Sequence, residues 1–248
     1  MQTHVWNPLG DRRALLLHGL TSDGTCWWRL ASQLADAGWM VLAPDLRSHG
    51  RSPTAAAHDL DSMAEDVVLL GSGWELVVGH SFGGAIATQL LSRSLGIGAA
   101  VLVDPVLQLS DQQHRLLRAG LGAETGGPID AASVRAAEPT WDERDVQRKV
   151  LAASLTTPDI VGAIMDDNDP FDLVDLTSSW RARVHLLSAD PARGGLLDPG
   201  LAARIAADAT AHVTHSVVED CGHSIQRERP AVVSAAVATV LATTAGTA

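Results

Sequence analysis

Ser81 sits between glycines in Gly79-His80-Ser81-Phe82-Gly83, directly after the β-rich pair Val77-Val78 and before Ala85-Ile86-Ala87-Thr88-Gln89-Leu90-Leu91. Strand, sharp turn and helix in that order predict a nucleophile elbow, with Oγ of Ser81 projecting from a strained turn and small residues required at Gly79 and Gly83. A plainer reading makes Ser81 only the cap of the following helix. A serine hydroxyl is a poor nucleophile near neutrality, so it needs a base within hydrogen-bond reach and an acceptor that fixes the base's tautomer. Two later loops supply both: His223 in Asp220-Cys221-Gly222-His223-Ser224 follows the last predicted strand, and Asp190 in Ser188-Ala189-Asp190-Pro191 follows the strand before it.

Acyl-transfer chemistry also needs donors for a developing oxyanion. The run Arg13-Ala14-Leu15-Leu16-Leu17-His18 predicts a strand buried on both faces, and the loop His18-Gly19-Leu20-Thr21-Ser22 would offer the N–H of Leu20 beside that of Phe82. The alternative is an ordinary strand-end turn. Asp45, Arg47 and His49 in the loop from Pro44 to Pro53 invite a second site, but such clusters are more often hydrogen-bonded braces, and that is the expectation here. Asp166-Asp167-Asn168-Asp169 lacks the glycine and distal glutamate of a calcium loop and reads as a solvated turn.

The elements that must position these groups alternate. Strands are predicted at 13–18, 39–43, 74–79, 99–103, 182–187 and 212–218, with helices at 25–37, 59–70, 85–91, 201–207 and 230–241, and a frayed tail over 242–248. That rhythm implies an α/β fold with a mostly parallel sheet and right-handed crossovers. It breaks between 106 and 180, where patches of helix (112–121, 133–137, 142–155, 158–165) occur without a convincing strand. The expected organisation is therefore a core of 1–105 and 181–248 with a helical cap, 106–180, inserted between two core strands. A cap would exclude water and shape an apolar pocket, to which Trp141, Phe171 and Trp180 are candidate contributors.

Bulk properties narrow the function. A chain of 248 residues suits one large α/β domain, and a net charge of −11 argues against nucleic acid or an anionic membrane surface as partner. No apolar run reaches membrane-span length, and the N-terminus has no basic-then-apolar leader pattern, so a cytoplasmic protein is the default. The two cysteines, Cys26 and Cys221, show neither a disulfide framework nor metal-ligand spacing, so no metal is expected.

These residues together resemble the α/β-hydrolase fold family, in which nucleophile, acid and histidine follow in the order Ser, Asp, His. The resemblance runs from His18-Gly19 through Gly222-His223. In particular the sequence is similar to capped, cofactor-free bacterial serine hydrolases of esterase or lactonase type, which carry an Asp-Leu-Arg-x-His-Gly-x-Ser loop matched by Asp45 to Ser52. The resemblance implies Ser81 as nucleophile, His223 as general base and acid, Leu20 and Phe82 as oxyanion donors, and no cofactor. It leaves three candidates for the acid: Asp190 first, then Asp104, which ends the strand before the cap, then Asp198 in the same loop as Asp190. A serine at position 81 departs from the aspartate of the family's epoxide hydrolases and haloalkane dehalogenases. The implied reaction is hydrolysis of a carboxylic ester or lactone of a mostly apolar small molecule. C–C, thioester or amide hydrolysis and perhydrolysis remain open with the same residues, as does a non-catalytic ligand receptor.

Overall fold

In a computed structural model the described residues are 1–93, 95–208 and 212–242. The last six residues of the expected frayed tail, 243–248, lie outside them. The strands are β1 (Thr3–Trp6), β2 (Arg12–Leu17), β3 (Trp39–Pro44), β4 (Leu76–His80), β5 (Ala99–Val103), β6 (Arg183–Ala189) and β7 (Val213–Val218). They form one sheet in the order β1-β3-β2-β4-β5-β6-β7, parallel throughout except for β1, which pairs antiparallel with β3 at the edge. The short strand β1 has no counterpart in the sequence reading, because its four residues are only partly covered and lack a long apolar run.

Successive side chains of a strand face opposite ways, and here the two faces belong to two separate cores. Leu15 and Leu17 of β2, Val77 of β4 and Ala100 and Leu102 of β5 pack with helices α2 (Leu60–Val68) and α3 (Phe82–Ser92). Ala14, Leu16, Val78, Val101 and Val103 pack with α1 (Trp28–Asp36) on the opposite face. Because both faces are covered, the central strands are apolar without alternation.

Between β5 and β6 lie α4 (Asp111–Gly126), α5 (Ala131–Ala137), α6 (Glu143–Ser154) and α7 (Pro158–Asp167), then a 3-10 turn at Val174–Ser179. Helix α4 carries a capping box, Ser110 with Gln113, and has no buried residue, so it is held by its neighbours rather than by the sheet. The end of α7 is a docking joint, not the solvated turn expected from composition. Asp166 pairs with Arg118 of α4, Asp167 accepts from the N–H of His58 at 2.8 Å, and Asn168 accepts from the N–H of Leu60 at 2.8 Å. The chain closes with α8 (Pro199–Asp208), the one-turn helix α9 (Ile225–Glu228) and α10 (Pro230–Ala242). No helix among the described residues is long and apolar enough to cross a membrane.

Candidate active site

The chain leaves the sheet at the carboxyl ends of β2, β4, β5, β6 and β7 at His18, Ser81, Asp104, Asp190 and Glu219, so these loops share one edge. The strand order reverses between β2 and β4, which is where parallel sheets open a crevice for ligands.

Ser81 occupies that point with φ 55° and ψ −120°, a conformation that L side chains rarely adopt. It holds because its backbone is tied on every side. Its N–H donates to the Val103 carbonyl at 3.0 Å, and its own carbonyl accepts from Gly84, Ala85 and Val106. The glycines are needed where the chain doubles back: a Cβ at Gly79 would lie 2.5 Å from the Gly83 carbonyl oxygen, and one at Gly83 2.4 Å from the carbonyl oxygens of Leu17 and His18. Although Ser81 stands at the N-cap position of α3, its side chain makes no capping hydrogen bond. The hydroxyl is therefore not committed to the helix.

The loop after β2 is fixed by His18, whose Nδ1–H donates to the Gly19 carbonyl at 2.8 Å while Nε2 accepts from the N–H of Leu46 at 3.0 Å. Burial lowers the His18 pKa and keeps this arrangement neutral. Asp45 is the brace anticipated for its loop. Burial alone would raise its carboxyl, but hydrogen bonds from His4 and from the N–H groups of Arg51 and Gly24 outweigh it and hold it at about 2. Arg47 pairs with Asp66 at 2.8 Å. The effect is to press Gly19 and Leu20 against the elbow, so that a Cβ at Gly19 would lie 2.9 Å from Cβ of Ser81. Among the described residues no acceptor stands against the N–H of Leu20 or of Phe82.

His223 donates from Nδ1 to Oδ2 of Asp104 at 2.6 Å. Asp104 is fully buried and ends β5 at φ 41°. Its carboxylate also accepts from the N–H groups of Ala189 (3.0 Å), Leu196 (2.9 Å) and Leu197 (3.1 Å). Four donors around one carboxylate hold it in place. This corrects the expectation that Asp190 faces the histidine. The Asp190 carboxylate accepts instead from the N–H of Ala192 at 2.9 Å and of Asp220 at 3.0 Å, bracing the loop that carries His223 without reaching its ring. Asp198 caps α8 by accepting from the N–H of Leu201 at 2.7 Å.

Ser81 and His223 line one cavity of about 660 Å³. Leu20 and Phe82 line it, as do Trp141 and Phe171 from the segment between β5 and β6. Trp180 does not: it is fully buried in the core beside α3 and borders a different cleft, with Arg204 and His212. Trp180 closes the 3-10 turn three residues before β6, and the core of the sheet claimed it.

Several cavity residues were not singled out from sequence. His80, inside the elbow motif, donates from Nε2 to the His223 carbonyl at 3.0 Å, and its ring lies 4.7 Å from the His223 ring. Burial, then the neighbouring His223, pushes the His80 pKa well below the usual value. Its place between Gly79 and Ser81 was the available signal. Lys149 of α6 donates to Oγ1 of Thr21 at 2.8 Å and pairs with Glu124 of α4 at 2.6 Å, tying two helices of the insertion to the loop after β2. Arg227 and Gln226 enter from α9. Nothing in the local sequence marks them.

The fold and this constellation define a member of a large enzyme class: the chain belongs to the alpha/beta hydrolase family, whose model matches residues 14–236. It is similar to lipase LipV of Mycobacterium tuberculosis, with 38% identity over 157 residues that cover 60% of this chain and 58% of LipV. The chain thus spans less than two thirds of the curated relatives it matches. Among solved structures it resembles an esterase from Exiguobacterium antarcticum (TM-score 0.76, 17% identity, 96% of this chain and 94% of the other). It also resembles the enol-lactonase of Burkholderia xenovorans LB400 (TM-score 0.77, 17% identity, 97% and 96%). At these identities the two structural likenesses are likenesses of fold.

Proposed function

We propose that this protein is a serine hydrolase that cleaves a carboxylic ester or lactone through an acyl-enzyme on Ser81, with His223 as base and acid and Asp104 as its orienting carboxylate. The observation that carries this reading is the 2.6 Å contact between His223 Nδ1 and Asp104, made at the wall of the cavity that also holds the uncapped hydroxyl of Ser81. With Nδ1 engaged, Nε2 is the nitrogen left for the serine, which is the tautomer a general base requires.

In the first half-reaction the Ser81 Oγ–H proton passes to Nε2 of His223 as Oγ bonds to the acyl carbon. Negative charge gathers on the former carbonyl oxygen, where the N–H groups of Leu20 and Phe82 receive it. Collapse breaks the ester C–O bond, and His223 returns the proton to the departing alkoxide. Water then gives a proton to His223 and attacks the acyl carbon; the acyl C–Oγ bond breaks as His223 returns that proton to Oγ of Ser81, freeing the acid. A lactone follows the same steps with its alcohol still tethered. The insertion, 106–180, serves as a cap: Lys149 fastens it to the loop after β2, and Trp141, Phe171 and Met165 give the cavity an apolar side.

The test is intact mass after exposure to a fluorophosphonate, with peptide mapping, on the wild type and on His223→Ala. The reading expects one adduct, on Ser81, formed rapidly only when His223 is present. An inert Ser81 in the folded protein would overturn it, and ligand binding without turnover would then describe the chain better.

A further inference from the structure

The cavity also contains a cation that has no ion-pair partner among the described residues. Arg227 is 5% exposed and lies four residues after His223, on the short helix α9 that follows the histidine loop. Its guanidinium sits over the Trp141 ring, 4.7 Å from the centroid, and Nη2 donates to Oγ of Ser22 at 3.1 Å. Nε has no partner, and among the described residues no carboxylate lies within ion-pair distance of it. Burying a guanidinium without an ion-pair partner is unfavourable. The Nε1–H of Trp141 is likewise buried without an acceptor.

The remaining charges of the cavity do not supply the missing anion. Glu124 is committed to Lys149 at 2.6 Å, and Arg193 at the rim adds a further positive charge. Glu138 lines the cavity within the field of Arg193, Arg227 and Lys149, but burial and then the neighbouring Glu228 push its carboxyl up; the buried Asp145, which also feels Arg227, is engaged by Trp28 Nε1–H at 2.9 Å and by Arg29 at 3.7 Å. Three cations thus face two carboxylates, one of them already paired. A guanidinium is suited to carboxylate because its planar donors match the two oxygens.

We propose that Arg227 is a specificity residue that receives a carboxylate of the substrate, so that the cavity selects small esters or lactones bearing a second, anionic group. The proposal rests on the serine-hydrolase reading and names its substrate class. It narrows the mostly apolar substrate expected from sequence to an amphipathic one, with an apolar body against Phe171 and Met165 and a carboxylate at Arg227.

Two matched pairs of chromogenic or acetyl esters test it. Mono-4-nitrophenyl glutarate against its methyl ester places the charge on the acyl side, and 4-acetoxybenzoate against methyl 4-acetoxybenzoate places it on the alcohol side. The wild type should favour the acid in at least one pair by roughly ten- to a hundredfold in kcat/KM, the range a charge-assisted hydrogen bond spans. That ratio should collapse towards one in Arg227→Gln, through KM, and recover in part in Arg227→Lys. Should Arg227→Gln fail to fold, competition in the wild type decides: glutarate should inhibit, dimethyl glutarate should not, and added salt should weaken the inhibition. A wild type indifferent to the carboxylate in both pairs, or a ratio unchanged in a folded Arg227→Gln, overturns the proposal. Fluorophosphonate labelling of Ser81 in the same preparation separates the two readings. A labelled but indifferent enzyme sinks the carboxylate site alone, whereas an unlabelled one sinks both.

Discussion

Asp104 and His223 stand 119 residues apart in the chain and meet through a 2.6 Å hydrogen bond between Oδ2 and Nδ1. Strand β5 brings the first of them and the loop after β7 the second, so the pair forms across the carboxyl end of β6, which lies between those strands in the sheet. The role given to Asp104 makes a sharp forecast. Asp104→Asn should lower kcat by about 10⁴, because the amide presents the wrong partner to Nδ1 and the imidazole loses its tautomer. Asp190→Asn should stay within about tenfold of wild type, since only a loop brace is weakened. Steady-state kinetics on both variants checks this, and the reverse ranking would return the acid to Asp190.

Gly79→Ala probes the elbow. The added Cβ meets backbone on three sides, the Gly83 oxygen at 2.5 Å, Cα of Gly84 at 2.8 Å and the Gly83 carbon at 2.9 Å, and backbone cannot swing away as a side chain can. A loss of about 2 kcal/mol or more in urea unfolding is expected, with slower labelling of Ser81. An unchanged midpoint and labelling rate would show that the turn is looser than the geometry described here.

Lys149 is set between Thr21 and Glu124. Removing the ammonium leaves the Glu124 carboxylate unpaired in a partly buried site, so Lys149→Met should cost about 2–4 kcal/mol. Lys149→Met combined with Glu124→Gln should recover part of that. A double-mutant cycle by chemical denaturation reads the coupling directly, and additive losses would deny that the two groups act as a pair.

The pH dependence of stability should begin at the histidines. Burial, then the neighbouring His18, lowers the His49 pKa from 6.5 to about 3, and burial lowers His18 and His80 as well. As pH falls below 6.5 the unfolded chain takes up protons that the folded chain refuses, so stability declines from there towards pH 3. Asp45 is shifted in the same direction, from 3.8 to about 2, but in a lower window, so its contribution is lost only as pH falls from about 4 towards 2. Urea midpoints measured from pH 8 to 4 should slope downward from near neutrality, and His49→Gln should flatten the slope. A flat profile above pH 5 would contradict the assignment.

Both thiols should be silent in the folded state. Burial, ahead of any neighbouring charge, pushes Cys26 and Cys221 up to about 12, and thiolate is the reactive form. Titration with a disulfide reagent at pH 8 should find no fast thiol until denaturant is added. A rapid thiol under native conditions would mean that one of the two is reached by solvent.

Much of the fold was legible because burial leaves a periodic trace. The run at β2 and the strand at Ala99–Val103 are covered on both faces, so they are continuously apolar, and the helices of the insertion show caps and spacing before any contact is known. Ser81 was legible for a local reason as well. A doubled-back turn demands glycine at fixed offsets, and those offsets are visible in one chain segment. His223 and the loop after β2 follow from the order of strands.

The partner of His223 was a different kind of question. Asp190 and Asp104 both end core strands with an acidic residue, and nothing local separates them. The choice was made by which carboxylate the sheet turns towards the imidazole and which it spends on the N–H groups of Ala192 and Asp220. Trp180 and Arg227 show the same division. Sequence alone determined an α/β chain with a serine on a strained turn and a histidine to serve it. Tertiary structure alone decided which aspartate reaches that histidine, which tryptophan meets the cavity, and that an arginine is buried there with no ion-pair partner among the described residues, because these depend on distances between segments far apart in the chain.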